Sequence, residues 1–148
     1  MNSPSNAGEF YFLYMFIRKN IPALFWTLLI FFLCSLPGKS IPEFTWLELI
    51  SFDKFVHAFI FFVLQLLYMH GLSQQDENLF LKKNYVIVPL FFGIFYGGLL
   101  ELMQSLVFSE RSADTGDFIA NSVGVMIGAA TYRKFTSILV KFYSLLRI

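Results

Sequence analysis

"YVIVPLFFGIFYGGLLELMQSLVF", residues 85–108, holds 24 residues and one formally charged side chain, Glu101. A helix crossing a bilayer needs about 20 predominantly apolar residues. The stretch therefore reads as a membrane span, and it sets the class of the whole chain. A carboxylate at membrane depth costs at least about 2–3 kcal/mol. Some interaction inside the protein has to offset that cost.

The rest of the composition agrees. The chain has 148 residues, 57% hydrophobic and 14% charged. Soluble domains carry about 25% charged residues, so an ordinary soluble fold is excluded, and the length suits one domain. The net charge of +1 gives no basic surface for nucleic acid. Cys34 is the single cysteine, which rules out an internal disulfide and a cysteine-based metal site. The 20 phenylalanines suit a lipid-facing surface. Residues 1–20 lack the order of basic start, apolar core and small-residue cleavage site that marks a signal peptide. The uncharged run Asn20–Gly38 is accordingly expected to be a retained first span.

Four spans are predicted. The first covers residues 21–36, extended backwards through "FYFLYMFI" (10–17), with Pro22 in its first turn and "LPGKS" (36–40) ending it. The second covers residues 55–75 and the third 85–108. The fourth starts near Asp117 and has only 15 uncharged residues, Phe118–Tyr132, so Arg133 and Lys134 are expected to snorkel at its end. Residues 1–20 form an interfacial lead-in, 21–132 the transmembrane domain, and 133–148 an amphipathic tail or a continued helix. The expected fold is all-α, an integral membrane bundle of about four helices. An even number of spans puts both termini on one side. That side holds Arg18, Lys19, Lys82, Lys83, Arg133, Lys134, Lys141 and Arg147, against Lys39, Lys54 and Arg111 on the other. The positive-inside rule places the richer side, with both termini, in the cytoplasm.

The polar residues of the spans converge at the outward end. Asp53 and His57 are four apart at the start of the second span, and Asp117 and Asn121 are four apart at the start of the fourth. Glu101 and Gln104 are three apart near the outer end of the third, with Ser105 on the same side. At about 1.5 Å of rise per residue, His57 and Asn121 lie about 6 Å, and Glu101 about 10 Å, below the outer ends of their helices. Gly93, Gly97 and Glu101 share one helical face, as do Asp117, Asn121, Gly124 and Gly128. Small residues at this spacing let membrane helices approach closely. The polar face is thus also the packing face, and the cluster belongs inside the bundle.

Several chemistries fit this set. Asp53, Asp114 and Asp117 are each suited to cap a helix N-terminus. Gln104 and Asn121 suit interhelical hydrogen bonds. Arg111, between Glu110 and Asp114, suits a local ion pair. His57 and Glu101 form a candidate acid–base or ligand pair. The oxygen-rich set with one imidazole also resembles a hard-metal site, but no recognised metal spacing is present, so metal and cofactor stay unassigned. There is no glycine-rich phosphate loop and no lipase-type serine elbow.

Two segments, "FDKFVHAFIFFVL" (52–64) and "ELMQSLVFSERSADTGDFIANSVGVMIG" (101–128), resemble the VanZ-like family of small bacterial membrane proteins. The family pattern runs D-K-x-x-H-F, then E-x-x-Q, then R-x-x-D-x-x-D, then N-x-x-G. Here these are Asp53, Lys54 and His57; Glu101 and Gln104; Arg111, Asp114 and Asp117; and Asn121 and Gly124. Ala58 stands where the family has an aromatic, with Phe59 next. The resemblance covers about residues 50–132. It implies a multi-pass protein of the bacterial cytoplasmic membrane, and the family's named member is associated with low-level resistance to the glycopeptide teicoplanin. Two functions follow as expectations. In one, the cluster binds or acts on an envelope lipid or lipid-linked cell-wall precursor, with His57 and Glu101 central and Asp53, Gln104, Arg111, Asp114, Asp117 and Asn121 contacting the head group. In the other, the cluster only fixes helix packing, alone or with a protein partner. An ion pathway has less support, because no matching polar residues continue through the inner half of the third span.

Overall fold

The computed structural model describes residues 4–35, 46–76, 78–106 and 114–145. The elements are α1 (Pro4–Ser35), α2 (Trp46–Ser73), α3 (Leu79–Lys83), α4 (Ile87–Leu106) and α5 (Thr115–Leu145). No strand occurs among the described residues. Inside a bilayer only a helix or a closed barrel satisfies all backbone polar groups, so long apolar runs become helices. The turn "LPGKS" lies outside the described residues.

Both outer helices run on, in line with the backward extension and the continued helix considered from the sequence, but Pro22 is placed differently. The lead-in and first span are one helix of 32 residues, with Pro22 inside it and not in its first turn. Pro22 offers no N–H to the carbonyl four residues back, a loss that membrane helices tolerate because nearby groups re-satisfy the backbone. At the other end, α5 runs unbroken from Thr115 through the expected tail to Leu145. Between α2 and α4 lies the short α3, capped by Asn78, whose side-chain oxygen accepts the Leu81 N–H at 3.0 Å.

Cross-helix contacts give the directions. The Trp26 indole N–H donates to the Ile60 carbonyl at 2.9 Å, and Asn20 packs on Gly71, so α1 and α2 are antiparallel. Phe61 pairs with Tyr96 and Tyr68 with Phe92, so α2 and α4 are antiparallel too. Lys54 meets Asp117 near one end of α2, and Ser73 meets Tyr132 near the other. Helix α5 therefore runs parallel to α2, and this pair makes the most extensive helix interface. The four long helices alternate in direction, and the first ends of α2 and α5 lie together with the last turns of α4.

Glycines set the spacing. A Cβ on Gly124 would overlap the backbone carbonyl of Ala58. One on Gly128 would lie 2.9 Å from the Gln65 Cβ and 3.0 Å from the Phe62 carbonyl oxygen. On α4, a Cβ on Gly93 would lie 2.7 Å from a Val125 methyl. The core between these helices holds Phe61, Leu64, Leu100 and Val125, with Ile30 from α1. Midway along the helices, three neutral hydroxyl residues are joined. The Thr27 and Tyr68 hydroxyls are 3.0 Å apart, and the Tyr96 hydroxyl donates to the Thr27 carbonyl at 2.7 Å.

The outside is apolar. Phe25, Leu28 and Phe32 of α1, Phe52, Phe55 and Phe59 of α2, and Phe91 and Phe95 of α4 are exposed. Soluble monomers rarely expose contiguous apolar surface on this scale. Three helices are long and apolar enough to cross a membrane, at residues 8–35, 52–73 and 87–106. Helix α5 has 31 residues but is more polar and is not among the three. The chain is a helical membrane protein.

Gly124→Val should therefore force α5 off α2. Overpacking typically costs about 1–3 kcal/mol, which for a chain of this size is a fall of about 3–10 °C in melting temperature. Gly8→Val, where nothing lies within 4 Å of the added Cβ, is the control. Equal melting temperatures in detergent would show that the close approach does not hold the bundle.

Candidate functional site

Helices α2, α4 and α5 meet at one end of the bundle and deliver six described residues of the predicted site there, together with Lys54. Asp53 lies about two turns inside α2, which begins at Trp46, so the capping role considered for Asp53 does not apply. Asp114 does cap α5. Its Oδ1 accepts the Gly116 N–H at 2.7 Å and its carbonyl accepts the Asp117 N–H at 3.0 Å, the arrangement expected of an N-cap aspartate. The next turn carries Asp117, 13% exposed at its side chain. Both carboxylates oppose the positive end of the helix dipole.

The cation between them is Lys54. Its Nζ donates to Asp114 Oδ2 at 2.8 Å and to Asp117 Oδ1 at 3.0 Å. In the sequence Lys54 stands out only as an outward loop charge and a position of the family pattern. Its signal was the place beside Asp53, one turn before His57. A turn of helix aims it across the interface at the start of α5. The hydrogen bond from Lys54, helped by the Gly116 N–H, holds the Asp114 carboxyl below the usual carboxylate range. Arg111, expected to form a local ion pair beside Glu110 and Asp114, lies outside the described residues.

One turn deeper, His57 and Asn121 are both buried. His57 Nδ1 and Asn121 Oδ1 are 3.1 Å apart, and Asn121 also packs on Gly97 of α4. A carbonyl oxygen can only accept, so His57 Nδ1 carries a proton. The other ring nitrogen, Nε2, faces Asp53 Oδ1 and Asp117 Oδ2, each at 3.8 Å. That exceeds hydrogen-bond range. Asp53, His57 and Asp117 each offer a ligand atom within 4.8 Å of the other two. These are the described residues that could hold a metal ion.

Glu101 is buried on α4 and accepts the Asp114 backbone N–H at Oε2, 3.2 Å away. The cost raised by residues 85–108 is thus offset in part by a backbone donor at the start of α5. Glu101 and His57 share the layer, but no hydrogen bond joins them: His57 turns to Asn121 and Glu101 to Asp114. Gln104 turns the other way, to α1, where its amide donates to the Cys34 carbonyl at 3.3 Å. Ser105 is exposed and bonds back to the Leu102 carbonyl at 2.8 Å. Gln104 therefore ties α4 to α1, whereas Asp53, His57, Glu101, Asp114, Asp117 and Asn121 line one layer.

Comparison with known protein families, curated proteins and solved structures finds no match for this chain. The site therefore stands on its geometry and on the residue pattern.

Lys54→Met should lower stability at pH 7 by about 1 kcal/mol, since the pair with Asp114 is solvent-screened and the pair with Asp117 less so. The gap should close in acid. Asp114 has a lowered native pKa, so its contribution is complete above the ordinary carboxylate range and is lost as pH falls through the lowered value. Denaturation of both proteins across pH 7 to 2 measures this. A gap that does not change with pH would mean that the carboxylates are not the partners that matter.

Proposed function

We propose that this chain is a VanZ-like protein of the bacterial cytoplasmic membrane. It crosses the bilayer four times with both termini in the cytoplasm. The layer of Asp53, Lys54, His57, Glu101, Asp114, Asp117 and Asn121 faces outward and binds the polar head group of an envelope lipid or lipid-linked cell-wall precursor. Arg111 and Gln104 belong to the same reading, as a contact from the adjoining loop and as a positioning contact. Through such a ligand the protein would bear on glycopeptide (teicoplanin) resistance.

The observation that carries this reading is the convergence of charged and buried polar groups from three helices at one end of the bundle, beside a half-exposed Asp53. Ionisable residues inside a membrane bundle mark functional sites by default. A fourth crossing is supported by the register of α5, which lies along α2 from Lys54 to Ser73. It is also supported by the exposed Ile119, Met126 and Ile127 on the outer face of α5. The excess of Lys and Arg at the opposite end supports cytoplasmic termini.

A second reading has an observation of its own. Lys54 is shared by two carboxylates, His57 bonds to Asn121, and Glu101 accepts a backbone N–H. Such a network can serve packing alone. The two readings differ in what Glu101→Gln does. For a head-group site, the wild type purifies from bacterial membranes with a bound envelope lipid, detected by native mass spectrometry. Glu101→Gln and His57→Ala lose it at least tenfold, at unchanged expression. For a packing network, no lipid copurifies and the variants differ only in melting temperature. Teicoplanin susceptibility of cells expressing the same proteins supplies the physiological readout.

Orientation is tested separately. A fluorescent protein fused to the C-terminus should fluoresce, and alkaline phosphatase fused there should be inactive. The opposite pair of results would place the polar layer on the cytoplasmic side and remove the envelope ligand.

A further inference from the structure

The head-group reading leaves an electrostatic demand. Envelope lipids and lipid-linked precursors carry phosphate, yet the described layer has four carboxyls, Asp53, Glu101, Asp114 and Asp117, and a single lysine. That lysine is already shared between Asp114 and Asp117. An anion approaching such a layer needs positive charge beyond Lys54; Arg111 of the adjoining loop is one source in the head-group reading, and a bound cation is another.

We infer that Asp53, His57 and Asp117 bind a divalent transition-metal ion of the Zn²⁺ or Mn²⁺ class at the outward end of α2 and α5. The geometry around His57 points to it. Proton placement is set by Asn121: with Nδ1–H donated to Asn121 Oδ1, a neutral ring has its lone pair on Nε2. A ligating histidine typically donates its second ring N–H to an oxygen in this way, which fixes the tautomer. The side chain is 9% exposed, and Nε2 looks at two carboxylate oxygens 3.8 Å away. With the ring neutral these are three acceptor atoms facing one another, with no hydrogen bond donated to them among the described residues, and they repel. A cation among them turns the repulsion into coordination.

Distances and charge agree. Zn²⁺ binds imidazole nitrogen and carboxylate oxygen at about 2.0–2.2 Å, so two ligand atoms on one ion are separated by about 3.3–3.6 Å at the tetrahedral angle and by at most about 4.4 Å when opposite each other. The 3.8 Å pairs fall within that limit, and the three ligand atoms all lie within 4.8 Å of one another. Asp53 has 51% of its side chain exposed and can close the remaining few tenths of an ångström by rotation. Asp117 uses its two oxygens differently, Oδ1 for Lys54 and Oδ2 toward His57. Lys54 is therefore held off the ion's position by the residue that would ligate it. One imidazole with two carboxylates suits the borderline divalent ions better than Mg²⁺ or Ca²⁺, which prefer all-oxygen sets. Three protein ligands leave coordination positions open on the Asp53 side. A phosphate oxygen could occupy one, a role that rests on the head-group reading, whereas the ion site does not.

The test uses the full chain without a histidine tag, purified in detergent, stripped with chelator and dialysed against micromolar Zn²⁺, Mn²⁺ or Mg²⁺, with metal counted by mass spectrometry. About one Zn²⁺ or Mn²⁺ per chain is expected in the wild type and in His70→Ala, which removes the other histidine. Mg²⁺ should not be retained. Asp53→Asn should weaken binding at least tenfold, and His57→Ala should abolish it. If His57→Ala does not fold, as judged by circular dichroism, Asp53→Asn decides, because that residue is half-exposed. Wild type that takes up no stoichiometric ion, binding unchanged in Asp53→Asn, or loss that follows His70 overturns the site. Lipid content measured on the same samples separates the two proposals. Metal bound as expected with no lipid present removes the head-group reading alone. Lipid retained, and lost in Glu101→Gln, with no metal taken up removes the ion site alone.

Discussion

The contact of Gly124 with the Ala58 carbonyl is the constraint on which the rest of the structure depends. It presses α5 against α2 backbone to backbone, and the two helices run parallel. Parallel neighbours bring like ends together. Asp114 and Asp117 at the start of α5 therefore come beside Lys54 and His57 in the first turns of α2. With a larger residue at 124, the 3.0 Å bond from Lys54 to Asp117 and the 3.1 Å contact of His57 with Asn121 would not form together. Gly93 and Gly97 complete the arrangement by admitting Val125 and Asn121 of α5 against α4.

Polarity is graded along the bundle. The ionisable groups of the candidate site sit at one end of the bundle, where α5 supplies backbone N–H donors and where the Asp53 and Asp114 side chains are about half exposed. Midway along the helices, the triad of Thr27, Tyr68 and Tyr96 satisfies its hydroxyls internally. Isolated charge is most costly at the centre of a bilayer, and residues 21–35, 58–69 and 87–100 carry no acidic or basic side chain. Glu101 is the deepest described acid on α4, and it is also the one that receives a backbone donor from another helix.

Much of this was legible in the sequence. Apolar runs of span length forecast the helices, and i, i+4 spacing put Asp53 with His57 and Asp117 with Asn121 on single faces. The glycine spacing forecast the close faces of α4 and α5. Other features were not legible. Pro22 looked like a first-turn residue, and although the extension through "FYFLYMFI" was expected, the helix starts as far back as Pro4 and leaves Pro22 well inside it. Asp53 looked like a cap because the apolar run begins after it, but α2 starts at Trp46. Gln104 shares a face with Glu101 in the linear pattern, but a helical face is broad enough to meet two neighbours, α1 on one flank and α5 on the other.

By itself the sequence determined that this chain is helical, that it belongs in a membrane, and that its polar groups gather near one end. Those properties depend on local composition and on the 3.6-residue period, which each segment carries alone. The tertiary structure decided who meets whom. Lys54 pairs with aspartates 60 and 63 positions away, and His57 Nε2 faces two carboxylates at once. Such pairings depend on how far apart the helix axes stand and how each helix is rotated. Those two quantities follow from the packing of Gly124 on Ala58 and of Gly97 on Asn121, which no single segment contains.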